Sequence, residues 1–368
     1  MAEEKGKERK ASSSGTLSLA RLPIRRIVQG VLGVGIVVGI AYGSYKTLTL
    51  PEGERFDAGT WRDFLVQGLA RGSIYALIAI GYSLVYGILL MINFAHGEVF
   101  MAGAFASFFV ADVFNQNGFM HSQPVLSIAI LLIVAILVSV AVAVLLERIA
   151  YRPLRGAPRL VPLITAIGAS LFLQNTFRGF FGPQTRGYPI PNALDGQWNV
   201  AGIPVDRPAV LVIATAIIGM IALSLFVART KTGRSMRAVS EDKEISAVMG
   251  INVDRTIVTT FAIGGMMAGV AGVMFALLFQ KVDPFMGFVP GIKAFTAAVL
   301  GGIGSISGAA LGGLMLGLTE AVLPSLLLKG FDVPSPFQLT DVVAFTILVM
   351  VLIFRPGGIL GSGEHEKV

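Results

Sequence analysis

The feature that most constrains this chain is a series of apolar runs, each about 20 residues long, at 64–90, 97–114, 124–146, 161–181, 208–228, 256–279, 291–309, 310–327 and 338–354. Each is long enough for a helix to cross a hydrocarbon core ~30 Å thick, where every backbone donor and acceptor must be satisfied inside the protein. A helix meets that demand within one segment, so the chain is predicted to be all-α, a polytopic transmembrane helical bundle. A further run, Gln29 to Tyr45, follows Arg21, Arg25 and Arg26 and reads as an uncleaved span or a signal peptide. Its long basic lead-in and the lack of a clean A-x-A site favour a retained, additional N-terminal span over 27–46. That makes about nine or ten spans, because 291–309 and 310–327 are joined by GGIGSISGAALGG, which is too apolar for an ordinary loop. Short or broken helices meeting inside the protein are predicted over 291–327, either as two spans or as a re-entrant pair.

Composition removes several chemistries. Only 14% of residues are charged, against about 25% in soluble domains. The 44 glycines suit helices whose backbones must approach closely in lipid. Cysteine is absent, which excludes disulfides, thiolate nucleophiles and cysteine-ligated metals. His96, His121 and His365 are too scattered for a metal site, so neither a metal nor a catalytic constellation is expected. A net charge of +7 raises the question of nucleic acid, and the distribution of cations answers it. Of 29 Lys and Arg, 19 fall in 1–26, 147–160, 229–255 and beyond 354, 7 fall in the alternate connections, and Arg71, Arg178 and Lys293 lie inside runs. This asymmetry predicts a multi-pass protein of the cell inner membrane with both termini cytoplasmic, and no nucleic-acid partner. Residues 1–26, opening with MAEEKGKERKASSSG, have almost nothing to bury and are expected to form a disordered cytosolic tail.

Between two apolar runs lies a polar island, Arg229 to Arg255, RTKTGRSMRAVSEDKEISAVMGINVDR. Ser240 followed by Glu241, Asp242 and Glu244 reads as an N-cap with first-turn carboxylates, and Gly250 as the left-handed residue that ends the helix. Ile245, Val248 and Met249 then share one apolar stripe. So short a helix is marginal alone and must dock, either on its own membrane domain or in a groove of a separate cytosolic protein.

No G-x-x-x-x-G-K-[ST] loop is present; at Thr232-Gly233-Arg234-Ser235 the position of the first glycine holds Ala228. Any ATP used here is bound by another chain. Asn93, His96 and Glu98 sit where the run 64–90 hands over to the next; Asn93 is a candidate cap, and the ionisable pair marks either a pathway or gate, or an interface wetted by headgroups. Glu320 is the deepest acid and faces either a polar partner or a water-filled route. Arg71, Arg178 and Lys293 are expected to snorkel to an interface. The fourfold spacing of Gly304, Gly308 and Gly312, and of Gly265 and Gly269, predicts close helix packing. No strand precedes Gly302, Gly304 and Gly308, and their spacing is not that of a dinucleotide loop.

Three stretches taken together carry a resemblance: GSIYALIAIGYSLVYGILLMINFAHGEVFMAGAF at 72–105, RSMRAVSEDKEISAVMGINVDRTIVTTFAIGGMMAGVAGV at 234–273 and GIKAFTAAVLGGIGSISGAALGGLMLG at 291–317. The chain resembles the integral-membrane permeases of bacterial branched-chain amino-acid ABC importers, the first of the two permease types, from about residue 64 to 362. The resemblance implies a permease domain over 62–362 that is itself non-catalytic. It also implies a second related permease, two cytosolic ATPase subunits that bind the ATP, and an extracytoplasmic substrate-binding protein. It makes the loop with Ala247, Val248, Met249 and Gly250 similar to the coupling helix that docks on the ATPase, with Ser240, Glu241 and Ile245 beside them. The span near 27–46 is additional to that family core. Branched-chain or related neutral amino acids are the expected cargo, urea and amides being carried by permeases that share these motifs. Asn93 and Asn175 are candidate donors to a zwitterion. A gradient-driven transporter using His96, Glu98 and Glu320 is the competing reading.

Overall fold

The computed structural model describes residues 24–51, 54–158, 160–200, 202–355 and 357–360; the tail expected over 1–26 lies, up to residue 23, outside them. The helices are α1 (Ile24–Leu48), α2 (Ala58–Leu89), α3 (His96–Gln116), the single turn α4 (Phe119–Ser122), α5 (Pro124–Leu146), α6 (Leu160–Phe181), α7 (Arg207–Arg229), α8 (Lys231–Glu241), α9 (Lys243–Val248), α10 (Val253–Phe279), α11 (Phe288–Gly301), α12 (Ile306–Leu323) and α13 (Thr340–Phe354). At the end of the bundle away from α8 and α9, β1 (Arg186–Gly187), β2 (Gln197–Val200), β3 (Ile203–Asp206) and β4 (Lys281–Val282) form two small antiparallel sheets, β1 with β4 and β2 with β3.

Among the described residues, nine helical segments are long and apolar enough to cross a membrane. The tenth predicted span is missing because α11 has 14 residues, about 21 Å of helix against a core of ~30 Å. The runs 291–309 and 310–327 therefore resolve into the short α11, a break, and α12. The break follows from backbone geometry: Gly302 and Gly304 take φ of 107° and 93°, a region that favours glycine. Gly304 thus belongs to the break, not to the glycine stripe assigned to it from the sequence. Ser305 caps α12, its Oγ accepting from Gly308 N at 3.1 Å. On α2, Ser83 Oγ accepts from Gly304 N at 2.8 Å and donates to Ser305 O at 3.3 Å. The polar backbone freed by the break is thereby satisfied within the bundle.

The bundle is organised around α2, in which every residue from Gly72 to Val85 is buried, as expected of a helix that is apolar all round. α12 lies against it on Gly313 and Gly317, where an added Cβ would overlap the backbones of Ala76 and Gly72. The predicted close packing holds for Gly308 and Gly312, which meet Gly301 and Ala297 of α11, and for Gly265 and Gly269 of α10, which meet Ser139, Ala143 and Ala135 of α5. α1 touches the bundle mainly at one end, where Gly43 meets Leu327 and Phe331 and Lys46 Nζ lies 2.5 Å from Asp332 Oδ2. Val34, Val37 and Val38 of the same helix stay exposed.

Replacing Gly317 with Leu forces α2 and α12 apart and is expected to destabilise the detergent-solubilised chain by about 3 kcal/mol. Gly168→Leu is a matched control, since nothing lies within 4 Å of a Cβ there; thermal unfolding of the two variants reads the difference.

Candidate functional site

The polar island folds as two helices. Thr230 caps α8, its Oγ1 accepting from Gly233 N at 3.0 Å, and Gly233, Met236 and Val239 form the buried face. Because that face continues, the helix runs through Ser240, whose Oγ donates to Arg237 O at 2.7 Å. Ser240 is therefore not the N-cap, and Glu241 is the last residue of α8, not a first-turn acid of the next helix. The cap of α9 is Asp242: it is extended, at φ −154° and ψ 118°, and its Oδ1 accepts from Ile245 N at 2.8 Å. α9 has six residues, fewer than the expected nine or so, and ends at Gly250 with φ 84°, as predicted. Ser246 is its buried residue and its carbonyl accepts Ile251 N at 3.0 Å. Ile245, Ala247, Val248 and Met249 are exposed, Val248 at 88%. Partial burial first, and the Arg155 guanidinium second, hold the Lys243 amine below its ordinary value.

A network of charges ties the root of this loop to its neighbour. In the connection between α5 and α6, Arg155 pairs with the fully buried Glu147 and with Asp254 of α10's first turn, while Arg152 Nη2 lies 2.9 Å from Asp254 Oδ2. Asn252 caps α10 immediately before, accepting from Arg255 N at 2.9 Å.

The residues at the start of α3 are internal. The residue before α3 is Ala95, with no side-chain cap, so Asn93 does not cap the helix; its Oδ1 accepts from Tyr151 Oη at 2.6 Å. His96 packs its ring on Tyr82 at a centroid distance of 4.7 Å. Glu98 Oε1 accepts from Ser170 Oγ at 3.0 Å and Gln174 Nε2 at 2.7 Å. The carboxylate thus sits in the first turn of α3, where it complements the helix dipole, and clasps α6 to that helix. Asn93, His96 and Glu98 are all buried, so the reading of headgroup-wetted interface residues does not hold.

Glu320 belongs to a separate cluster. Tyr75 Oη donates to its Oε2 at 3.0 Å, and Lys293 Nζ lies 3.0 Å from its Oε1 and 2.7 Å from Asp341 Oδ1. Lys293 is 6% exposed; it does not snorkel, because it is held by Glu320, buried on α12, as well as by Asp341, exposed at the start of α13. Of the two readings of Glu320, the polar partner is the one found. The sequence signal was available as opposite charges in neighbouring apolar runs, but not the pairing. Asn175 stands apart on the exposed side of α6, its Nδ2 donating to Leu171 O at 2.8 Å. Among the described residues, no three His, Asp or Glu gather as a metal site.

Lys293→Met leaves Glu320 buried without its cation and is expected to destabilise the chain by about 3–5 kcal/mol. The double variant Lys293→Met/Glu320→Gln should recover most of that loss in denaturant or thermal unfolding.

Residues 64–352 match the family described as branched-chain amino acid transport system / permease component. The chain is 45% identical over 309 residues to the high-affinity branched-chain amino acid transport system permease protein BraD of Pseudomonas aeruginosa, covering 83% of this chain and 97% of that protein. It is 43% identical over 310 residues to the corresponding protein LivH of Escherichia coli, covering 83% and 96%. A more distant likeness, 30% over 174 residues, covering 43% of this chain and 46% of that protein, is to the autoinducer 2 import system permease protein LsrC of Yersinia enterocolitica. No solved structure matches. The chain belongs to the branched-chain amino acid permease family.

Proposed function

We propose that this permease is the membrane-spanning subunit of an ABC importer for branched-chain or related neutral amino acids, and that ATP hydrolysed by separate subunits drives its alternation between outward and inward access. The observation that carries the reading is the 43–45% identity to two branched-chain amino acid permeases over 96–97% of their lengths. The bias of Lys and Arg in the connections before α10, 17 in 1–26, 147–160 and 229–255 against 5 in 46–63 and 182–207, supports placing the amino-terminal end, α8 and α9 in the cytosol. Family membership supports the same set of partners: a second related permease, two cytosolic ATPases and an extracytoplasmic binding protein. The chain itself holds no G-x-x-x-x-G-K-[ST] nucleotide loop.

The mechanical element is α9. Ile245, Ala247, Val248 and Met249 present an uncovered apolar face in a loop otherwise rich in charge, suited to the groove of a cytosolic ATPase. Movement of α9 passes to α7 through α8 and to α10 through Gly250 and Asn252. Among the gate residues proposed from the sequence, Asn93, His96 and Glu98 lie where α3 meets α2, α6 and the turn before α11. They are placed to respond when α6 shifts, whereas Glu320 is placed to hold α11 against α12. Asn175, exposed on α6 among Leu171 and Phe172, remains a proposed donor to the zwitterion from the sequence alone.

Val248→Glu puts a charge into the docking face, and Gly250→Val places a branched side chain at a positive φ. Both variants are expected to insert normally. In proteoliposomes with the partner subunits, both should lose at least ~10-fold of substrate-stimulated ATP hydrolysis and of labelled isoleucine uptake, about 1.4 kcal/mol or more in coupling. Wild-type stimulation in both would remove α9 as the coupling element.

A further inference from the structure

A cavity of about 290 Å³ opens beside the loop helices, near the lower limit of the ~300–1,000 Å³ typical of small-molecule sites. Its walls come from four places: the ends of α2 and α7, the helix α8, and the break between α11 and α12. The lining is divided. Leu84, Val227 and Met236 form an apolar part, while Ser224, Ser307 and Arg237 supply polar groups. Arg237 donates from Nη1 to Val227 O at 2.7 Å and from Nη2 to Ala228 O at 3.4 Å. Its guanidinium faces no carboxylate at ion-pair distance among the described residues. Ser224 is half-buried, and its hydroxyl has no hydrogen-bond partner among the described residues.

We infer that this cavity is a binding site for a small aliphatic carboxylate, an amino acid or its 2-oxo acid analogue, entering from the face that carries α8 and α9. The carboxylate takes the remaining donors of Arg237 and the Ser224 hydroxyl, and the hydrocarbon part lies against Leu84, Val227 and Met236. A guanidinium with no carboxylate partner and donors to spare, next to apolar walls, suits an anion with a short alkyl chain better than a sugar or a free inorganic ion. Because α8 forms one wall and leads directly into α9, a bound ligand joins the loop to α2, α7 and the break. It thereby favours whichever loop position gives the tighter site. That consequence for coupling rests on the importer reading; the binding itself does not.

The chain contains no cysteine, so Ser307→Cys, at a lining residue that the carboxylate is not assigned to contact, gives a single thiol inside the cavity with minimal change in volume. In purified full chain reconstituted in nanodiscs, L-isoleucine and 4-methyl-2-oxopentanoate at millimolar concentration are each expected to slow labelling of that thiol by a maleimide at least fivefold. Isoleucinamide, which lacks the carboxylate, should not. Arg237→Gln added to Ser307→Cys should abolish the protection, and direct calorimetric titration of the Ser224→Leu variant should show at least tenfold weaker binding than the parent chain. Equal protection by isoleucinamide would overturn carboxylate recognition; protection that survives Arg237→Gln, or no protection by either acid, would overturn the site. Protection by one acid alone would identify which source of the shared chemistry the cavity takes. Isoleucine uptake by the assembled importer, measured in parallel, separates failure of the site from failure of the importer reading.

Discussion

The structure depends on one constraint, that no backbone polar group within the bilayer can be left to water, and on the way this constraint is met where helices stop short. Uninterrupted helices satisfy it automatically. The break between α11 and α12 does not, and its solution is a single side chain on the central helix: Ser83 takes the amide of Gly304 and gives its proton to the carbonyl of Ser305. A hydroxyl can serve both groups only if α2 and the break are held close together. The glycine contacts between α2 and α12, Gly72 with Gly317 and Ala76 with Gly313, supply that proximity along the same pair of helices. Small residues and the polar bond are therefore two parts of one arrangement.

Charge buried in the bundle follows the same logic. Lys293 and Glu320 occur in an environment where either alone would be costly, and each is present with its partner. The pair lies on the two helices flanking the break, with Tyr75 of α2 and Asp341 of α13 completing it. It fixes α11 relative to α12 at a point where glycine packing alone would permit sliding. Glu98 plays a related part between α3 and α6. α6 leaves much of its surface uncovered, including Ile164, Phe172 and Phe180, and the carboxylate joined to Ser170 and Gln174 is its polar attachment to the core. Rings of Phe105, Phe177 and Phe181 form the apolar attachment farther along the same helix.

Much of this architecture was legible in the sequence because the lipid solvent imposes a length on each element. Runs at 124–146, 161–181 and 208–228 match α5, α6 and α7 to within a residue or so. Gly250 was legible for a different reason: a glycine after an apolar stripe has one common use, and its φ of 84° is that use. What escaped was whatever depended on distant residues. Ser240 has the composition of a cap, but the buried face of Met236 and Val239 carries α8 past it, so the capping passes to Asp242. Lys293 was read as snorkelling because a single sequence does not show that Glu320 and Asp341 come within 3.0 Å. The stripe of Gly313 and Gly317 was overlooked beside the more conspicuous run at Gly302, Gly304 and Gly308, two of which form the break.

In the proposed coupling, the form of the loop determines how force passes through it. α8 is fastened to α7: Gly233 approaches the Val227 backbone so closely that a Cβ would overlap it, and Arg237 bonds the carbonyls that end α7. α9 is fastened to α10 by the Asn252 cap, and α10 in turn to the α5–α6 connection through Asp254 and Arg155. Between these two attachments the chain passes through one extended residue, Asp242, and α9 keeps a single buried residue, Ser246. On the proposed coupling, displacement of α9 passes through Asp242 to α8 and α7 on one side and to α10 and the α5–α6 connection on the other. α6 begins where that connection ends, and its attachment to α3 is the Glu98 clasp. On the proposed coupling, a push on the six-residue α9 is in this way directed toward α6, a span whose outer side, with Ile164, Phe172 and Phe180, is left exposed by the rest of the bundle.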